Sequence, residues 1–158
     1  MIRKRVISPI PPDSPLAAED WLDVERMAQV EVTSEEVAHP IESALLPGEQ
    51  SGWRAAQPGR QAIRVTFDHP QRLRRIRLLF IETDIARTHE FTLRWSPDGG
   101  RSYRDIVRQQ WNFSPLTATR ELEDYHVELS GVTALELTIV PDQRGGEARA
   151  SLAQWRLA

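Results

Sequence analysis

The sequence predicts an all-β fold: a jelly-roll β-sandwich of about eight antiparallel strands with at most one or two short helices. Apolar residues recur at every second position through most of the chain, and helical periodicity is nearly absent. Turn residues separate the alternating runs. Among them, Ser96-Pro97-Asp98-Gly99-Gly100 lies between two such runs, and its Asp-Gly-Gly supplies the positive-φ positions a hairpin requires.

In chain order, residues 1–20 contain Pro9, Pro11, Pro12 and Pro15 and read as an extended arm, while 21–158 read as one sandwich domain. A first strand is expected near 28–33. HPIESALL (39–46) is the best helical signal, because Pro40 suits a first helical position and Pro47-Gly48 ends the run. GWRAAQPG (52–59) places Trp53 among small and turn-forming residues before the next strand. There Ile63, Val65 and Phe67 alternate with Arg64, Thr66 and Asp68, which marks one buried face. Residues 72–82 alternate through Ile76, Leu78 and Phe80 and add Leu79 and Ile81, as a strand buried on both faces would. Phe91, Leu93 and Trp95 form another run, and Leu135, Leu137 and Ile139 a further one. The remaining strands are expected near 103–111, 122–129 and 150–157.

Composition narrows the function classes. The 158 residues include 20 basic and 23 acidic side chains, a formal net charge of −3, which argues against coating nucleic acid or anionic lipid. The absence of cysteine excludes a disulfide framework, a thiolate metal site and a cysteine nucleophile. The basic amino terminus is not followed by the apolar run of a secretory signal, and no run of about 18 apolar residues could form a spanning helix. A cytoplasmic protein without membrane association is the expectation. GxSxG, HExxH, P-loop and GxGxxG patterns are missing. His39, His69, His89 and His126 are dispersed without metal-ligand spacing. No enzymatic activity, cofactor or metal is therefore expected.

The most informative stretch is RQQWNFS (108–114), where amides and aromatic rings crowd around an arginine. In a strand, Arg108, Gln110 and Asn112 share one face while Gln109, Trp111 and Phe113 share the other. The 72–82 run ends at Glu82, and the connection that follows carries Arg87 and Glu90 into the next strand. Buried charges need partners. Two arrangements would satisfy them. One is an internal network pairing Glu82 or Glu90 with Arg87 or Arg108. The other is a ligand site built from Glu82, Arg87, Glu90, Arg108, Gln110, Trp111 and Asn112. Sugars offer vicinal hydroxyls for planar amide, guanidinium and carboxylate groups to bridge, and C–H faces that settle on rings. Trp53, Trp95 and Trp155 are expected in the core, with Trp21 covering the sandwich. Arg72, Arg74 and Arg75 form either a solvated strand edge or a stripe for nucleic acid.

A strand ending at Thr33-Ser34, a helical turn, Trp53 before QAIRVTF, then RIRLLF, then Ser96-x-Asp98-Gly99-Gly100-x-x-Tyr103 resembles the discoidin, or coagulation-factor type C, domains. WRAAQPGRQAI (53–63) is also similar to the corresponding stretch in the amino-terminal domain of the single-strand-break repair scaffold. The resemblance spans roughly 28–158 and implies the galactose-binding-like jelly roll. It further implies that loops at one end bind carbohydrates, lipid headgroups, DNA ends or proteins. The expected partner is a carbohydrate or another small polar ligand; the alternative is a protein–protein or DNA-end interaction module. Many such domains hold calcium in the loop before the tryptophan. Here LLPGEQSGW offers Glu49 as its only carboxylate, a poor start for an ion that takes six to eight oxygens, so no calcium site is expected.

Overall fold

The computed structural model describes residue 4, residues 21–48 and residues 51–158. Glu49 and, apart from Lys4, the expected arm over 1–20 lie outside the described residues. The elements are α1 (Val24–Met27), β1 (Ala28–Val32), α2 (Glu42–Leu45), β2 (Trp53–Pro58), β3 (Gln61–Ile81), β4 (Arg87–Ser96), β5 (Arg104–Phe113), β6 (Arg120–Val140), β7 (Arg149–Leu152) and β8 (Gln154–Leu157). All strand pairs are antiparallel, as predicted.

Two pairs of expected strands are continuous. β3 and β6 each run 21 residues and serve both layers of the sandwich. Residues 63–67 of β3 pair with β1 and residues 61–66 with 134–139 of β6, and that part of β6 pairs with β4, which pairs with the edge strand β5. Beyond the bend, residues 73–81 of β3 pair with 120–129 of β6, and residues 76–79 pair with β8. The bend falls at Asp68-His69-Pro70 opposite Ser130-Gly131, where the register shifts repeatedly. Proline has no N–H to give a ladder, and Gly131 takes a φ of 73°, so both strands can turn at the same level. The shift also changes phase. Ile63, Val65 and Phe67 face inward before the bend, and Ile76, Leu78 and Phe80 do so after it.

β2 is not among the expected strands, because WRAAQP alternates tryptophan only with small residues. Pairing with β7, from the other end of the chain, makes it a strand. Gly52 precedes it with a φ of 68°, and a Cβ there would lie 2.9 Å from the Leu152 carbonyl oxygen. That close approach seats Trp53, which is 1% exposed and donates from Nε1 to the Ser34 carbonyl at 3.0 Å. Trp155 is equally buried, while Phe80 and Phe91 stack with ring centroids 5.1 Å apart. Trp95 is a correction: it is half-buried at the rim of the core, with the Arg104 guanidinium over its ring at 5.2 Å. Trp21 lies under the Arg77 and Arg75 guanidiniums, at 5.4 and 5.8 Å.

Candidate functional site

Strand parity sorts the residues singled out in the sequence. On β5, Arg108, Gln110 and Asn112 are exposed, whereas Gln109 and Trp111 are half-buried and Phe113 is buried. Their cross-strand partners on β4 are Thr92, Glu90 and Thr88, so these side chains share the outer face of the five-stranded layer. β6 adds Thr138 beside Thr92, and Val140 beside Glu90. Thr88 donates from Oγ1 to Asn112 Oδ1 at 2.7 Å. Glu90 is only 6% exposed because donors close over it: Arg108 Nε and Gln143 Nε2 both bond to it. The Arg108 hydrogen bond holds the Glu90 carboxyl below the usual range, outweighing the opposing effect of burial. Gln143 also donates its backbone N–H to the Thr88 carbonyl at 2.7 Å, tying the loop after β6 against this face. A depression of about 210 Å³ lies here, lined by Arg60, Glu90, Thr92, Arg108, Thr138 and Val140.

Glu82 and Arg87 go elsewhere. They are 3% and 5% exposed and form a buried ion pair, Arg87 Nη1 to Glu82 Oε2, at 3.3 Å. Arg87 also donates to the Arg149 carbonyl at 2.8 Å, and Ser151 donates to Glu82 at 3.1 Å, which joins β4 to β7 at the end of the sandwich. Glu82 Oε1 has no hydrogen bond and faces Arg54 Nη2 at 4.0 Å. Arg54 in turn lines a second depression of about 200 Å³ among the loops, together with His39, Ile81, Thr83 and Ser151. The pairing considered for the sequence as an internal network is thus present twice, as Glu82–Arg87 and as Glu90–Arg108. Only the second pair borders solvent.

Trp111 faces the interior, with its ring edge-on to Phe113 at 6.5 Å and no partner for its Nε1. Around it lies a polar cluster that the sequence did not single out. His89 Nε2 is 2.6 Å from Glu121 Oε1, and both residues are buried. Burial pushes the Glu121 carboxyl up, and burial together with Arg87 lowers the His89 imidazole to about 4. Burial therefore disfavours charge on both partners of this contact. Next to it, Glu123 accepts from Gln109 Nε2 at 2.9 Å, and Tyr125 donates to Gln109 Oε1 at 2.8 Å. Burial, then Glu121, push the Glu123 carboxyl up to about 7. The period-two signal was available, since 121, 123 and 125 face inward with 89, but acids on an inward face look like solvated ones in a one-dimensional pattern.

The basic run on β3 is partly paired, and Arg74 is exposed with no side-chain partner among the described residues. Arg75 binds Asp124 at 2.5 Å, Arg77 reaches the same carboxylate at 3.1 Å, and Arg72 meets Glu128 at 3.2 Å. Among the described residues, no group of three or more histidine, aspartate or glutamate side chains is placed to hold a metal ion.

This architecture is the discoidin, or galactose-binding-like, jelly roll, the fold of the family 32 carbohydrate-binding modules. No protein-family model matches the chain, and no curated protein matches it in sequence. Among solved structures it is similar to CBM32-3 from a family 31 glycoside hydrolase of Clostridium perfringens, with 18% identity and a TM-score of 0.64 over 89% of this chain and 95% of that one. It is also similar to the family 32 module of C. perfringens NanJ in complex with galactose, with 16% identity and a TM-score of 0.62 over 87% and 96% of the two chains. A GH29 fucosidase of Ruminococcus gnavus in complex with fucose matches with 7% identity and a TM-score of 0.62 over 84% of this chain. This chain corresponds to 25% of the fucosidase.

Proposed function

We propose that the chain is a non-enzymatic carbohydrate-binding module whose site is the outer face of β4 and β5. The observation that carries this is the convergence of Glu90, Arg108, Gln110 and Asn112 beside a solvent-open depression of about 210 Å³. These planar polar groups have the geometry to bridge vicinal hydroxyls, and Thr88, Thr92 and Thr138 add single hydroxyls around them. A family 32 module of the same fold solved with galactose supports the ligand class. Three of the four arginines of the β3 basic run are engaged by Asp124 and Glu128, which favours a sugar over the DNA-end alternative, because phosphate recognition draws on unpaired cations.

An unbiased glycan array with the whole protein, followed by titration of its best hit against Arg108→Ala and Asn112→Ala, tests the proposal. Weakened binding by both folded variants is expected. Binding that survives both changes moves the site off this face, and the loop-end depression around Arg54 becomes the place to mutate. A steep loss of affinity for oligonucleotides with salt, together with an empty array, supports the DNA-end alternative instead.

A further inference from the structure

We infer that the outer-face depression takes an acidic sugar, with Arg60 gripping its carboxylate. This rests on the carbohydrate-binding reading above and assigns the ligand class of that same site.

The charges around the depression do not cancel. Its ionic groups are Arg60, Arg108 and Glu90. Glu90 is taken up by Arg108 and Gln143. Arg60 is exposed and has no hydrogen-bond or ion-pair partner among the described residues. One guanidinium therefore stands over the depression with its donors free, and its planar fork matches a carboxylate.

The placement suits a ring with a charged substituent. Arg60 sits at the start of β3, beside the β6 segment that carries Thr138 and Val140, while Arg108 sits on β5 beyond β4. Strands lie about 4.8 Å apart, so the two arginines are separated by about 14 Å across the sheet, a gap that two long side chains can close over one sugar ring. The Gly59 N–H donates to the Ala148 carbonyl at 3.2 Å, which anchors the turn carrying Arg60. Thr92 and Thr138 form the floor between the arginines and supply hydroxyls.

What is missing from the lining points the same way. Val140 is its main apolar side chain, and no aromatic ring belongs to it. Trp111 and Phe113 project from the other face of β5. A neutral sugar gains much of its binding by laying a C–H face on a ring, and this depression offers none. A free guanidinium flanked by hydroxyls selects a ligand with both a negative charge and hydroxyl groups.

The test is calorimetric titration of the full chain with an oligogalacturonate, with its methyl ester, and with a sulfated galactose oligosaccharide, each at low and high salt. The ester keeps every hydroxyl and loses only the charge. The free acid should bind at least about tenfold more tightly than the ester, with the margin shrinking at high salt. Arg60→Ala should remove that margin, weakening the acid far more than the ester, and leave thermal stability unchanged; Arg60→Lys should restore only part of it. Equal affinity for acid and ester, or an Arg60→Ala variant that weakens both alike, overturns the acidic-sugar assignment while leaving carbohydrate binding intact. Tighter binding of the sulfated sugar than of the uronate overturns the carboxylate assignment. Failure of these ligands and of every neutral glycan on an array overturns both this inference and the function it rests on.

Discussion

Replacing Glu123 by Gln should make the protein more stable at alkaline pH than at acid pH, relative to the native chain. Glu123 sits at the mouth of the interior cluster, with Gln109 Nε2 at 2.9 Å, the Tyr125 hydroxyl at 3.3 Å and Glu121 beside it. Burial is the largest cause that lifts its carboxyl from 4.5 to about 7, and the neighbouring Glu121 adds to it. A carboxyl raised in the folded state favours the protonated form. Its contribution to stability is full below the unfolded value and is lost as pH rises through the folded one. A rise from 4.5 to about 7 corresponds to about 3 kcal/mol, and the half-buried position screens this to about 1–2 kcal/mol. Gln keeps the shape, and one hydrogen-bonding oxygen, without the titration. The advantage of Glu123→Gln over the native chain should therefore grow by about 1–2 kcal/mol between pH 5 and pH 8.5. Urea unfolding of both proteins at a series of pH values measures it. A difference that stays flat across that range, or that turns in favour of the native chain as pH rises, refutes the reasoning.

Trp53→Ala should lower the unfolding free energy by about 3–5 kcal/mol, the cost of truncating a fully buried ring, and chemical denaturation will read it. Arg87→Ala removes the nearer partner of buried Glu82 and leaves it only Arg54 at 4.0 Å, so a loss of about 3–5 kcal/mol is expected in the same assay. Calcium and chelator should leave the melting temperature unchanged; a rise of several degrees with calcium would show that a site forms on the folded chain.

Parity along a strand is a local property, and it could be read from the residues alone. It separated Arg108, Gln110 and Asn112 from Trp111 and Phe113, and it placed Ile63, Val65, Phe91, Leu137 and Ile139 inside. The Asp-Gly-Gly turn was equally legible, because Gly99 and Gly100 adopt φ values of 74° and 91° that side chains resist. These signals were enough for the all-β class and for the polarity of each strand face.

Neighbour relations are not local, and only the tertiary structure decided them. β2 and β7 lie far apart in sequence, and WRAAQP shows no strong alternating pattern, yet pairing with β7 makes it a strand. Glu82 and Glu90 look alike as acids close to an arginine. Glu82 is drawn under β7 beside Ser151 and Arg87, whereas Glu90 opens onto the depression shared with Arg60. No spacing rule could bring Arg60 to that depression, because it gets there through the pairing of β3 with β6 and of β6 with β4. The buried Glu121–His89 contact was hidden for the same reason. A polar side chain in a period-two run reads as solvated until the opposite layer is placed over it, and burial, which sets both its charge and its partner, exists only after the two layers close.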